Sequence, residues 1–158
     1  MRIITVYGLG YVGLSNSMFL SKENIVYGVD INKNIIETLL KKESHIEEAL
    51  ISEYLKKNTN FYPSLKGDSA KYSDFIVIAV STNLNEENGE YDLSEIRTIL
   101  KNLLFMKVKV PIIIKSTLGI GDTDKLLHEF PTLEIIYSPE FLQEGNALYG
   151  CLNPERVI

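Results

Sequence analysis

The stretch "IITVYGLGYVG", residues 3–13, decides the fold of the chain. Its first five residues are typical of a buried strand, and its last six carry glycines in the spacing G-x-G-x-x-G. In a turn of this kind, Gly8 permits the tight bend, Gly10 lets the backbone approach a ligand, and Gly13 lets the following helix pack closely. We call residues 8–13 the glycine turn and predict that it joins a strand to a helix.

An acidic residue stands where the second part of this pattern belongs. A further strand-like run, residues 25–30, ends in Asp30, which lies 20 residues after Gly10. The helix N-terminus after the glycine turn offers N–H groups and partial positive charge to a pyrophosphate, and a carboxylate at position 30 accepts hydrogen bonds from ribose hydroxyls. Because that carboxylate repels a 2′-phosphate, the pattern predicts NAD rather than NADP. The alternative is a glycine-rich turn that binds FAD or no nucleotide.

Strand-like and helix-like segments alternate along the chain. Five short runs rich in β-branched residues predict buried parallel strands at residues 3–7, 25–30, 75–80, 111–115 and 134–137. Apolar residues at helical spacing predict two helix faces, one made by Ile35, Ile36, Leu39 and Leu40, the other by Leu93, Ile96, Ile99, Leu100 and Leu103. The alternation predicts an α/β fold: a Rossmann-type, doubly wound, mainly parallel sheet with helices on both faces.

Two capping patterns predict where helices begin. Ser44 and Asp92 each precede a glutamate by three residues, as in a capping box. No shift in composition suggests a linker, so we expect one domain over residues 1–158. The polar residues 83–92 contain Gly89 and predict a loop.

The composition excludes several classes of protein. The 158 residues carry a net charge of −5 without a basic stripe, which argues against a nucleic-acid partner. The longest apolar run, residues 75–80, is too short to cross a membrane. A single cysteine forms no internal disulfide, and together these features favour the cytoplasm. His45 and His128 lack metal-ligand spacing, so we expect both on helix surfaces and no metal site.

Four motifs, the first of which contains the glycine turn, carry a resemblance to a known family. They are "GLGYVGLSNS" at 8–17, "KST" at 115–117, "SPEFLQEGNALYG" at 138–150 and "NPERVI" at 153–158. In order and spacing they resemble the UDP-glucose/GDP-mannose 6-dehydrogenases, and the resemblance runs the length of the chain. It is strongest to the bacterial UDP-glucose enzymes, with UDP-N-acetyl-sugar and GDP-mannose enzymes as near relatives.

The resemblance implies a reaction and a larger enzyme. Family members oxidise the C6 alcohol of a UDP-sugar or GDP-sugar to a carboxylate with two NAD, through an aldehyde that a cysteine captures and a thioester that water hydrolyses. In the family that cysteine, a central helix and the UDP-sugar-binding domain follow later in the chain, and full-length relatives are often homodimers. We therefore expect residues 1–158 alone to be inactive, and we reject Cys151 as the nucleophile.

The resemblance also assigns roles to residues beside the cofactor. It places the backbone of Tyr11 and Val12 on the pyrophosphate, Thr82 on NAD, and Thr117 on both the cofactor and the catalytic water. For Val12 a place in the core is compatible with this role. The two threonines follow predicted strands, so each is alternatively an ordinary turn cap.

The motif near residue 140 supplies the remaining site residues. By resemblance Glu140 assists water or proton transfer, Glu144 lies near substrate and nicotinamide, and Phe141 and Leu142 line the substrate site. If this segment is helical, both carboxylates share one face, and if it is a loop, they can still converge. Two close carboxylates raise one pKa, which suits acid/base work. The alternative is a solvated helix face.

Three positions depart from the family pattern. Ile35 stands where relatives commonly carry a lysine or arginine, Ser81 where they usually carry proline, and Gln143 where they often carry arginine. Two other functions stay open: a non-catalytic nucleotide-binding module, which has no need for Thr117, Glu140 and Glu144 together, and another NAD enzyme such as a hydroxyacid dehydrogenase.

Overall fold

A computed structural model of the protein describes residues 1–154. In this part of the chain six parallel strands alternate with helices. The strands are β1 (Ile3–Tyr7), β2 (Ile25–Val29), β3 (Phe61–Ser64), β4 (Phe75–Ile78), β5 (Ile112–Ile114) and β6 (Ile135–Tyr137). The helices are α1 (Tyr11–Leu20), α2 (Lys33–Leu40), α3 (Ala49–Lys57), α4 (Ser94–Phe105), α5 (Asp122–Glu129) and α6 (Ala147–Leu152), with a 3₁₀ helix at Asp68–Tyr72.

The strand order across the sheet is β3-β2-β1-β4-β5-β6. The chain starts in the middle at β1, runs outward to β3, and returns to β4 on the other side of β1. The direction of winding therefore reverses between β1 and β4, which is where ligands bind in open sheets of this kind. The predicted doubly wound Rossmann fold is confirmed.

Helices cover both faces of the sheet. On one face α1, α2, α3 and α6 enclose a core whose buried members include Leu14, Met18, Ile36, Ile51 and Leu148. On the other face α4 and α5 pack on β4 and β5 through buried side chains such as Ile96, Leu100, Leu126, Ile78 and Ile114. The two predicted helix faces are buried as expected at Ile36, Leu39, Leu93, Ile96, Leu100 and Leu103, whereas Leu40 is exposed.

The sequence analysis missed strand β3. Its residues "FYPS" include Pro63 and lack the long apolar run used to recognise the other strands. The backbone N–H groups of Val26 and Asp30 donate to the carbonyls of Asn60 and Ser64. The backbone N–H and carbonyl groups of the even-numbered residues therefore point toward β2. Pro63 consequently faces the open edge of the sheet, where its missing N–H breaks no hydrogen bond within the sheet.

One of the two predicted helix starts is wrong. Helix α3 begins at Ala49, and the hydroxyl of Ser44 instead closes a tight turn with the backbone N–H and carbonyl of Ile46. His45 accordingly lies in the loop before α3 and not on a helix, whereas His128 lies in the last turn of α5. Helix α4 begins close to the predicted place, at Ser94, whose N–H donates to Asp92 over 2.9 Å.

Three further predictions concern membrane spans, metal sites and the loop at residues 83–92. Within residues 1–154, no helix is long and apolar enough to cross a membrane. In the same residues no three histidine, cysteine, aspartate or glutamate side chains group as a metal would require. The predicted loop at residues 83–92 is present, with one isolated bridge between Leu84 and Tyr91.

Candidate functional site

The glycine turn is shaped by the space around its glycines. Gly8 has φ +85°, and a Cβ there would overlap the carbonyl of Ala79 on the neighbouring strand's end. A Cβ on Gly13 would overlap the carbonyl oxygen of Gly8. Gly10, in contrast, has nothing within 4 Å of the position a Cβ would take. The first and third glycines are thus required by packing, and the second leaves open space beside the backbone at the start of α1.

Asp30 braces this turn from the end of β2. One oxygen of its carboxylate accepts the N–H of Leu9 over 2.8 Å, and the other accepts the N–H of Asn32 over 2.8 Å. Because a carboxylate has about four acceptor positions, both oxygens keep capacity for a ligand hydroxyl. His45 lies at the same end: partial burial lowers its pKa from 6.5, against the opposing influence of the Leu9 carbonyl and Asp30.

A cleft of about 520 Å³ opens beside the turn and the carboxylate. It lies where the winding of the sheet reverses, between the ends of β1, β2 and β4 and the first turns of α4. Its lining residues include Gly8, Asp30, Ile31, Asn32, Ile35, Val80, Ser81, Thr98 and Ile99. An apolar wall with a carboxylate at its rim fits an adenosine, so the described residues suit the predicted dinucleotide. Ile35 and Ser81, two departures from the family pattern, line this cleft.

Thr82 and Thr117 meet beyond the ends of β4 and β5. The hydroxyl of Thr82 donates to the carbonyl of Thr117 over 2.8 Å, and the hydroxyl of Ser116 donates to the carbonyl of Val80 over 2.7 Å. These two bonds join the loops that follow the two strands. The side chain of Thr117 itself is exposed at this edge of the sheet. Thr82 therefore acts at least as a link between loops, and the Thr117 hydroxyl stays available.

Glu140 sits in a nest of polar partners. The ammonium of Lys115 lies 2.6 Å from its Oε1, and both side chains are about 15% exposed, at 15% and 16%. The amide of Asn16 donates to its Oε2 over 2.9 Å. Both carboxylate oxygens are thereby held, one from the end of β5 and one from helix α1. The carboxylate faces a lysine and an amide instead of a second carboxylate.

The residues that follow Glu140 do not form a helix. We call residues 138–146 the glutamate segment; it is a loop that ends in a turn at Gly145, with φ +79°. Glu140 and Glu144 therefore do not share a helix face, because the helix considered in the sequence analysis does not form in this segment. Glu144 and Gln143 are exposed, Phe141 is 83% exposed, and Leu142 is half-buried.

Cys151 lies below this loop, in α6. Its thiol points at Oε2 of Glu140, with the sulfur 3.9 Å from that oxygen. Burial, reinforced by the negative charge of Glu140, raises the pKa of the thiol to about 12. A thiol with such a pKa is protonated at neutral pH and is a poor nucleophile. This environment supports the rejection of Cys151 as the catalytic cysteine.

Glu48 fixes the helix that follows the glutamate segment. Its carboxylate is buried, with Oε2 accepting the N–H of Ala147 and Oε1 accepting the N–H of Leu148, both over 2.9 Å. The two amides belong to the open N-terminus of α6, which a carboxylate satisfies well. Glu48 thus ties the far end of the segment to the start of α3.

The sequence analysis missed three residues that hold this region. Lys115 stood inside the quoted "KST" motif and Asn16 inside "GLGYVGLSNS", but neither was given a role. Glu48 was overlooked altogether, since its partners lie 99 and 100 positions away. The signal available in the sequence was a charged residue directly before an amphipathic helix. The end of the "NPERVI" motif lies outside the described residues.

Comparison with known proteins agrees with this geometry. Residues 1–158 match the model of the UDP-glucose/GDP-mannose dehydrogenase family, NAD binding domain. The chain belongs to this family. Its cofactor is NAD, as the glycine turn and Asp30 predict.

Several relatives are named dehydrogenases. The chain is 38% identical to UDP-glucose 6-dehydrogenase of Campylobacter jejuni, matching all of this chain and 41% of that protein. It is 34% identical to UDP-glucose 6-dehydrogenase of Streptococcus pneumoniae, over 98% of this chain and 40% of that protein. The UDP-N-acetyl-D-mannosamine dehydrogenase of Escherichia coli is 27% identical. The chain spans about two fifths of the length of these relatives.

Solved structures share the fold. A UDP-glucose dehydrogenase from Pyrobaculum islandicum superposes with a TM-score of 0.86 at 25% identity, covering 99% of this chain and 40% of that one. A GDP-mannose dehydrogenase from Pseudomonas aeruginosa gives the same TM-score at 24% identity, covering 98% and 39%. About two fifths of each of these two enzymes therefore has the fold seen here.

Proposed function

We propose that this chain is the NAD-binding portion of a UDP-glucose 6-dehydrogenase, which oxidises UDP-glucose to UDP-glucuronate with two NAD. The observation that carries the proposal is the higher identity to two named UDP-glucose enzymes, at 38% and 34%, than to UDP-N-acetyl-D-mannosamine dehydrogenase, at 27%. The glycine turn and its cleft support the cofactor part of the proposal.

The described residues divide the work at the site. NAD, when bound, supplies the hydride acceptor. The open backbone at Gly10 and the N–H groups of α1, at Tyr11 and Val12, hold the pyrophosphate, and the free acceptor positions of Asp30 hold the ribose. We propose that Thr82 contacts the cofactor from the loop after β4.

The catalytic roles fall on residues at the ends of β5 and β6. We propose that the exposed Thr117 hydroxyl helps to hold the reacting water and that Glu140 assists proton transfer. Exposure leaves Phe141 and Glu144 available to a substrate, and we propose that the half-buried Leu142 lines the same site. The second half of the reaction needs an activated thiol, which Cys151 does not supply.

Calorimetry on this chain tests the cofactor part. We expect NAD to bind and NADP to bind at least about tenfold more weakly, because Asp30 meets the 2′-phosphate. Asp30→Ala removes the repelling charge and should narrow that preference, while Asp124→Ala on the exposed surface of α5 leaves it unchanged. Equal affinity for NAD and NADP in the wild-type chain would contradict the role given to Asp30.

A second measurement tests the substrate part. Mixed with NAD and UDP-glucose, the chain of residues 1–158 should form no UDP-glucuronate and show no sustained NADH production, because the second oxidation needs an activated thiol and no described thiol is activated. Calorimetry should then compare the NAD affinity of the chain in the presence of UDP-glucose, UDP-N-acetylmannosamine or GDP-mannose. An increase in NAD affinity with UDP-glucose alone would support the assigned sugar. Steady NADH production by the pure chain would sink the proposed inactivity.

A further inference from the structure

The contacts of Glu140 connect two parts of the site that the proposed function treats separately. Its Oε2 receives a hydrogen bond from Asn16 in α1, the helix that the glycine turn opens. Its Oε1 pairs with Lys115 at the end of β5. Asn16 and Glu140 are 124 positions apart in the sequence. The Glu140 carboxylate thus connects the glutamate segment to the helix that follows the glycine turn.

The amide of Asn16 is shared between two acceptors. Its Nδ2 donates to the backbone carbonyl of Val12 over 2.9 Å and to Glu140 over 2.9 Å. An amide nitrogen carries two protons, so both are used. Asn16 is 6% exposed, which leaves little water to replace either bond. A shift of the glycine turn at Val12 therefore acts on the bond to Glu140, and a shift of Glu140 acts back on the turn.

The ammonium group of Lys115 likewise has more than one partner. Beside its ion pair with Glu140, the ammonium donates to the carbonyl of Ser138 over 3.2 Å and lies 3.4 Å from the Ser138 hydroxyl. This cation joins the end of β5 to the first residue of the glutamate segment. A buried carboxylate that lost its cation would be left uncompensated, so the position of Glu140 depends on Lys115.

We propose that Asn16 and Lys115 are positioning residues that fix the Glu140 carboxylate, and that through Asn16 the binding of the dinucleotide and the orientation of Glu140 are linked. The inference rests on the proposed function for its ligand and for the role of Glu140. It adds that cofactor binding tightens the glutamate segment, and that an intact segment in turn strengthens the grip on the cofactor, since such coupling is reciprocal.

The first experiment needs no cofactor. Nuclear magnetic resonance of the side-chain amide of Asn16 should show two protons protected from solvent exchange. Lys115→Met should shift both signals and reduce their protection, and Lys115→Arg should restore them because it keeps the charge. Lys125→Met is the matched control, since Lys125 pairs with Asp122 over 3.0 Å on exposed α5. Unchanged Asn16 signals in Lys115→Met would overturn the role of Lys115.

The second experiment measures the link. In calorimetry, Asn16→Ala should bind NAD at least about fivefold more weakly than the wild-type chain does. This factor lies at the low end of measured couplings between sites. Asn24→Ala is the matched control, because Asn24 caps the Leu20 carbonyl at the other end of α1 with the same spacing of four residues. We expect wild-type affinity for that variant. If Asn16→Ala does not fold, Lys115→Met carries the same expectation for NAD affinity.

The outcomes separate the two proposals. In the wild-type chain, NAD should move the backbone signal of Glu140, and in Asn16→Ala this response should be lost. Wild-type affinity in Asn16→Ala together with an unaltered Glu140 response would overturn the link and leave the proposed function standing. A wild-type chain that binds no NAD would overturn both the proposed function and the link, while the Asn16 protons would still test the positioning role.

Discussion

The glycine turn and the glutamate segment both lie at the carboxyl ends of the strands, yet different forces hold them. The turn is fixed mainly by backbone contacts and close packing: the N–H of Gly8 donates to the carbonyl of Val29 over 2.8 Å, and Gly13 leaves no room for a Cβ. The Asp30 carboxylate adds one bond to the Leu9 N–H. The segment is fixed by charges at two points, Glu140 at its start and Glu48 just beyond its end. Added volume should therefore disrupt the turn, whereas lost charge should disrupt the segment.

The sharpest test of this contrast is Gly13→Ala. The added methyl group has no space against the Gly8 carbonyl, and we expect a loss of about 3 kcal/mol in unfolding free energy together with the loss of NAD binding. Gly10→Ala is the control, because its methyl group enters open space. That variant should keep stability within about 1 kcal/mol but bind NAD weakly. Urea unfolding and calorimetry measure both; equal stability of the two variants would break the comparison.

The next largest effect concerns the thiol beneath the segment. Because its pKa is raised to about 12, Cys151 should react with a thiol reagent near pH 8 on the order of a hundredfold more slowly in the folded chain than in urea. The chain has one cysteine, so Cys151→Ser provides a blank. Similar rates in both states would show an accessible, ionised thiol and reopen its role as a nucleophile.

Loss of the buried carboxylate at the far end of the segment should cost less. Glu48→Ala leaves the N–H groups of Ala147 and Leu148 without their acceptor, and we expect a loss of about 2 kcal/mol. Glu47→Ala removes the neighbouring, exposed carboxylate and should change stability by less than about 0.5 kcal/mol. Thermal unfolding compares the two; matching curves would show that charge does not hold the segment.

The smallest effect is a pH dependence at the turn. The pKa of His45 is lower in the folded chain than its unfolded value of 6.5, so the unfolded chain binds more protons as pH falls through 6.5. Stability from this residue is complete above that pH and declines below it. Because His45 is only partly buried and solvent screens its interactions, we expect only about a few tenths of a kcal/mol. The contribution of His45 is the difference in unfolding free energy between the wild-type chain and His45→Gln, measured across pH. A difference that favours the wild-type chain more strongly as pH falls would contradict the expected direction.

The turn could be predicted from sequence because its information is local. Three glycines, the preceding strand and Asp30 all fall within one strand–helix–strand unit, and each has a steric or electrostatic reason for its place. Strands β1, β2, β4, β5 and β6 and the buried faces of α2 and α4 likewise followed from local runs and spacings of apolar residues. Strand β3 escaped because Pro63 conceals an edge strand within a polar neighbourhood.

The glutamate segment could not be predicted to the same depth because its contacts span the chain. The spacing of Glu140 and Glu144 suggested one helix face, but Pro139 before the pair and the left-handed Gly145 after it are local signs of a loop. The partners Asn16 and Lys115 come from elements far away in sequence, and no spacing rule connects them to Glu140. The resemblance singled out the Glu140 carboxylate but gave no account of what holds it.

The proline on the outer strand also bears on how the protein behaves in a crowded solution. An open sheet border with a regular row of donors is a template on which another chain can add a strand and begin a fibre. At β3 the ring of Pro63 interrupts that row and projects bulk toward an incoming backbone. Replacing it with valine would complete the row without touching the cleft, and faster aggregation on mild heating would be the expected outcome.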